Sequence, residues 1–176
     1  PFPDDYFDLV TMIEVLEHLV DTDHALREVH RVLRPNGYIF ISTPNMASWR
    51  NRLLLLLGYY PQFAEVSFEV SVSARRCAVD ERRSELGEKH LRLYTLRALK
   101  FQLAYHDFDM IAAAGAPTRF EACTGLFYRL LGYLDAILSK RVSLAPDMIV
   151  LAKKRCRNLG RYHSTQSSNK ASPASS

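Results

Sequence analysis

Residues 7–45 read FDLVTMIEVLEHLVDTDHALREVHRVLRPNGYIFISTPN, and the fold class follows from how apolar and polar residues alternate along them. Phe7 to Ile13 is a nearly continuous apolar run rich in β-formers, as expected of a strand covered on both faces. Asp21, Thr22 and Asp23 then offer N-cap oxygens, and Ala25, Leu26, Val29, Val32 and Leu33 recur at helical spacing. Acids stand at the front of this helix and Arg27, Arg31 and Arg34 toward its back, matching the macrodipole. Pro35-Asn36-Gly37 stops it with a turn. Tyr38 to Thr43 reads as a second strand, ended by Pro44-Asn45. Strand, helix and strand in so short a stretch make a βαβ unit, with parallel strands and a right-handed crossover.

Working outward, Ala47 to Leu57 has the length of a helix carrying Trp49, Arg50 and Arg52. Ala74 to Lys89 is highly charged and reads as a surface excursion. Thr95 caps a helix with Leu96, Leu99, Leu103 and His106 on one face, and Phe108 to Ala113 reads as a third strand. Leu126, Phe127, Leu130, Leu131, Leu134, Ile137 and Leu138 have the i, i+3, i+4, i+7 spacing of an amphipathic helix. That stripe reads as core or dimer contact or, with Arg129, Lys140 and Arg141 beside it, as a surface for a greasy acceptor or a bilayer. Asp147 to Ala152 reads as the last strand. No internal repeat is present.

Composition narrows the function classes. The 176 residues include only 7 glycines, and these form neither G-x-G-x-x-G nor G-x-x-x-x-G-K-S/T, so no glycine-rich phosphate loop lies within the sequence. The run Leu53 to Leu57 falls far short of the ~20 apolar residues that cross a bilayer. The 3 cysteines, Cys77, Cys123 and Cys156, are widely spaced and without C-x-x-C, which fits reduced thiols in a cytoplasmic setting better than a disulfide framework. The net charge is +4, yet all 19 acids precede Lys153, and from there on Lys153, Lys154, Arg155, Arg157, Arg161 and Lys170 stand without an acid. The basicity belongs to a Ser-rich tail, so nucleic acid is not the favoured partner; a solvated, disordered tail is.

The segments PFPDDYFD, EVLEHL, REVHRVLRPNG and STPN, followed later by KHLRLYTLRALKFQLAYHDF, resemble class I S-adenosylmethionine-dependent methyltransferases, of the methyltransferase type 11 and ubiquinone-biosynthesis-like branches. The resemblance covers residues 1–153 and is strongest over the first 45. It implies an α/β fold, the carboxy-terminal part of a doubly wound, Rossmann-like sheet ending in an antiparallel last strand. Asn36 departs from the family's P-G-G turn but tolerates positive φ. The family's cofactor loop and first strands have no counterpart here, so a methyltransferase-like domain over 1–153 is expected to be truncated at its amino end. Inserts are expected at about 46–89 and 116–145, and a basic tail over 154–176.

The resemblance implies methyl transfer to a small-molecule, lipid or glycan acceptor, at oxygen in preference to nitrogen or carbon, with S-adenosylmethionine as cofactor. That activity is expected of the full-length domain, with residues 1–176 alone inactive. A different reading is a non-catalytic methyltransferase-like remnant or interaction module lacking the cofactor loop. The back half of a nicotinamide-dependent dehydrogenase fits the motifs less well. Glu14, Glu17 and His18 fall just past the carboxyl end of the first strand, where open α/β sheets bind ligands. Carboxylates there can meet a positively charged sulfonium, and His18 can act as general base with Glu17 beside it. The same resemblance implies that Ile13 and Glu14 line the cofactor and that Pro44, Asn45 and Trp49 face the substrate. Glu14, Glu17, His18 and a later His90 are also similar to a divalent-metal set in two branches of the family. Acids and a histidine that merely cap and pack are the alternative. Trp49, Arg50, Arg52 and Tyr59-Tyr60 read either as a flap over the acceptor or as ordinary packing of an inserted helix.

Overall fold

In the computed structural model the described residues are 2–64, 90–117 and 126–155. They form β1 (Phe7–Ile13), a 3-10 turn (Leu16–His18), α1 (Thr22–Val32), β2 (Leu33–Pro44) and α2 (Trp49–Leu56), followed by α3 (Leu96–Tyr105), β3 (Phe108–Ala116), α4 (Leu126–Leu138) and β4 (Asp147–Lys154). The expected excursion at 74–89, all three cysteines and the tail beyond residue 155 lie outside the described residues.

Four strands make one sheet in the order β1-β2-β4-β3. β1 and β2 are parallel, with Val10 opposite Ile39 and Met12 opposite Ile41. The last strand, β4, inserts between β2 and β3 and runs antiparallel to both, as the sequence led us to expect. The helix stops and starts also follow local chemistry. The Asp21 carboxylate accepts the His24 N–H at 2.7 Å, and Thr95 Oγ1 accepts the Ala98 N–H at 3.2 Å. Each satisfies a donor that the first turn of a helix leaves free. Asn36 takes φ of 66°, the left-handed conformation that the turn requires. Because Leu33 is already extended, β2 begins before the turn instead of after it.

The core sits on one face of the sheet. Leu26 of α1 and Leu99 and Leu103 of α3 pack with Ile39, Ile41 and Val150, all fully buried. Each such side chain contributes roughly 1.5–3 kcal/mol. His106 Nε2 lies 2.7 Å from the Asp23 carboxylate, and Gln102 donates to Thr22 Oγ1 at 2.9 Å, tying the end of α3 to the start of α1.

The opposite face corrects one expectation. β1 is not covered on both faces: Leu9 and Ile13 remain 51% and 59% exposed. Among the described residues β1 is an edge strand paired only with β2, so alternate side chains of its apolar run meet no partner layer. The apolar run therefore marks a strand built for two covers, of which the described residues supply one.

Candidate active site

β1 delivers its carboxyl end directly into the site. Glu14 follows at φ of 51°, a left-handed conformation that is strained for a residue with a side chain. Its N–H donates to the Ser42 carbonyl at 3.0 Å, and the Ser42 hydroxyl donates to the Glu14 carboxylate. The reversal turns the chain into Leu16–His18. That turn places Glu17 inside the protein and His18 at the rim.

Glu17 is 1% exposed. Thr43 Oγ1 donates to its Oε2 at 3.0 Å, while its Oε1 is buried and receives no hydrogen bond among the described residues. Burial pushes its carboxyl above the ordinary range, and the neighbouring Glu14 carboxyl raises it further. The Glu17 carbonyl accepts the N–H groups of Leu91 and Arg92 at 2.8 and 2.9 Å. Those two bonds bring the distant 90s segment onto the 3-10 turn. His90 consequently stands beside His18, ring centroids 4.8 Å apart, with its Nδ1 3.2 Å from the Phe63 carbonyl. One ligand atom each of Glu17, His18 and His90 lie within 4.8 Å of one another. The structure thus joins three of the four residues considered for a metal; Glu14 is held by Ser42 next to them.

The second strand's end is organised differently. Pro44 is buried at the end of β2, opposite Asp147 of β4. Asn45 is fully buried, donating to the carbonyls of Val142 and Ala145 at 3.2 and 2.8 Å and accepting the Ala47 N–H at 2.9 Å. Its amide is committed to joining two loops. Trp49 Nε1 donates to Asp135 Oδ1 at 2.7 Å, and the Arg50 guanidinium lies 3.0 Å from the same oxygen and 5.5 Å from the Trp49 ring. Arg52 donates to the carbonyls of Ala47 and Ser143. Trp49, Arg50 and Arg52 therefore fasten α2 to α4 and to the loop that follows it, whereas Tyr59 is exposed and Tyr60 half-buried.

Sequence reasoning passed over Thr43, Asp135 and Asp147. Asp135 did leave a signal, as the sole acid of an apolar helix. Asp147 opens β4 at the same edge, and burial pushes its carboxyl to about 6, with Glu14 and Asp135 adding to the rise and Arg50 opposing it. The edge is a cluster of carboxylates, partly desolvated, with two imidazoles on its flank.

A family model for a methyltransferase domain matches residues 1–113. The chain belongs to this methyltransferase family. Its architecture agrees: an S-adenosylmethionine-dependent methyltransferase of Thermotoga maritima superposes with a TM-score of 0.53 at 13% identity, covering 88% of this chain and 59% of that one. One from Methanosarcina mazei gives 0.53 at 15% identity, covering 89% and 63%. At such identities these likenesses bear on the fold alone. In sequence, the ubiquinone/menaquinone biosynthesis C-methyltransferase UbiE of Vibrio vulnificus is 49% identical over 41 residues, 23% of this chain and 16% of that protein. The ubiquinone biosynthesis O-methyltransferase of Pseudomonas paraeruginosa is 46% identical over 39 residues, 22% and 17%. The chain therefore matches less than two thirds of each of these relatives. Family membership implies S-adenosylmethionine as methyl donor. Among the described residues, no helix is long and apolar enough to cross a membrane.

Proposed function

We propose that the methyltransferase transfers a methyl group to an oxygen of a small-molecule, lipid or glycan acceptor at the edge formed by Glu14, Glu17, His18 and Asp147. The observation that carries this reading is the buried, under-bonded Glu17 carboxylate beside two imidazoles at the carboxyl end of parallel strands. When bound, S-adenosylmethionine supplies an electrophilic methyl on a positively charged sulfonium. The residues present fit it: exposed Ile13 offers an apolar surface, and the exposed Glu14 carboxylate offers the opposite charge. Ile13 and Glu14 hold the donor in this reading. His18, at the rim, accepts the proton of the acceptor hydroxyl at a ring nitrogen, and Glu17 favours the resulting imidazolium. Trp49, fixed by Asp135, closes the acceptor side against water, and Pro44 and Asn45 shape that side from beneath.

The convergence of Glu17, His18 and His90 favours a second form of the same reading, in which these three hold a divalent cation. The orphaned Oε1 of Glu17 and the mixed carboxylate and imidazole donors suit such an ion. It would lower the pKa of an acceptor hydroxyl.

Calorimetric titration with S-adenosylmethionine, with the cofactor-loop half that the family resemblance implies supplied to the domain, tests the donor role. Saturable binding is expected, weakened about tenfold by Glu14→Gln through lost charge attraction. Absence of binding heat would favour the non-catalytic module instead. Full activity in excess chelator would contradict the cation.

A further inference from the structure

The helix α4 turns one side to α2 and leaves the other unpartnered among the described residues. Asp135 and Ser139 are buried on the inner side, with Leu131 half-buried. At ~100° per residue, Leu126, Leu130, Tyr133, Leu134 and Ile137 fall within about 100° of arc on the opposite side. All five are exposed, Leu126 and Tyr133 by 73% and 71%. Arg129 and Lys140 border that stripe on one flank, both exposed.

Through the Trp49–Asp135 bond, α2 adjoins α4, and it too shows apolar residues to solvent. Leu56 is 82% exposed, and Leu53, Leu55 and Leu57 are exposed as well. Charge on the two segments has one sign. Across 49–60 and 126–141 the sole acid is Asp135, which is buried against Arg50. Arg52, Arg129, Lys140 and Arg141 are the exposed ionic groups.

We propose that α4 and the end of α2 seat on an anionic lipid surface, lying in its plane. The stripe supplies apolar area for the acyl boundary, and the flanking Arg129 and Lys140 can extend their charges to lipid phosphates. At 13 residues α4 is suited to lie on a bilayer, not to cross it. A second copy fits less well: a two-fold pairing of this face would bring its basic flanks together with no exposed carboxylate to pair them. The proposal is independent of methyl transfer, because a catalytically inert protein would still bind.

The test is sedimentation of the full chain with vesicles of phosphatidylcholine alone or with phosphatidylglycerol added. At least tenfold greater partition onto the anionic vesicles is expected, reduced by high salt. Leu130→Ser with Ile137→Ser should lower binding at least tenfold while leaving the melting temperature unchanged. Arg129→Gln and Lys140→Gln should each lower it about fivefold. A variant with Arg157, Arg161 and Lys170 changed to Gln should still bind, separating α4 from the basic tail. Lack of preference for anionic vesicles, binding that depends on the tail alone, or stripe variants that only change the oligomeric state would overturn the proposal. Equally, binding to a soluble protein partner but not to vesicles would overturn it.

Discussion

Glu17 and Asp135 are both buried acids at the same end of the sheet, and they are handled in opposite ways. Asp135 takes the Trp49 indole N–H at 2.7 Å and the Arg50 guanidinium at 3.0 Å on one oxygen. Glu17 takes no cationic donor among the described residues: Thr43 donates a neutral hydroxyl to Oε2, and a charged neighbour, the Glu14 carboxyl, raises its pKa further. Burial of a charge is tolerated when partners offset it, as at Asp135. Where they do not, the group holds its proton more tightly, as at Glu17. The first arrangement fastens two inserts together. The second leaves an acid with spare bonding capacity facing two imidazoles, which suits it for a ligand.

Breaking the fastened acid should have the largest effect. Asp135→Ala removes the carboxylate oxygen that the Trp49 indole and the Arg50 guanidinium share and is expected to cost about 3–5 kcal/mol, read as a fall in the denaturation midpoint. Next comes Asn45→Ala, which strips hydrogen bonds from Val142, Ala145 and Ala47. Roughly 2–3 kcal/mol should be lost. A smaller loss, about 1 kcal/mol, is expected from Thr43→Val, which removes the one hydroxyl that Glu17 has. Its sharper signature is a further rise in the Glu17 pKa, followed by carboxylate infrared bands.

A separate effect is read against pH. The Asp147 carboxyl is raised from 3.8 to about 6, so the folded state binds its proton more tightly than the unfolded chain does. This group therefore disfavours folding above pH ~6 and ceases to do so as pH falls toward ~4. Relative to the parent protein, Asp147→Asn should gain stability at neutral pH and lose that advantage on acidification. Melting curves between pH 4 and 7.5 would show it. Parallel profiles for the two proteins would contradict it.

The contrast also explains what the sequence made legible. The βαβ unit and the caps at Asp21 and Thr95 rest on local periodicity and short motifs, the reversed last strand on the family resemblance, and each appears in the structure. Glu14, Glu17 and His18 were legible because one turn carries all three. His90 came from resemblance, since bonds distant in sequence, among them those of Leu91 and Arg92 to the Glu17 carbonyl, bring it near. Asp135 lies 86 residues from Trp49, and no spacing rule connects them. The commitment of the Asn45 amide to residues about a hundred positions away was hidden for the same reason. The exposure of Leu9 and Ile13 was illegible too, because an apolar strand states what it needs and not what covers it.

The central claim is that Glu17 is kept for a ligand while Asp135 is kept for the fold. Thermal melts of Glu17→Gln and Asp135→Asn, each recorded with and without S-adenosylmethionine and a divalent cation, test it most directly. Without ligand, Glu17→Gln should melt close to the parent protein, within about 1 kcal/mol, and should lose most of the ligand-induced rise. Asp135→Asn should melt well below both and keep that rise. A Glu17→Gln protein as unstable as Asp135→Asn, with its ligand response intact, would contradict the account.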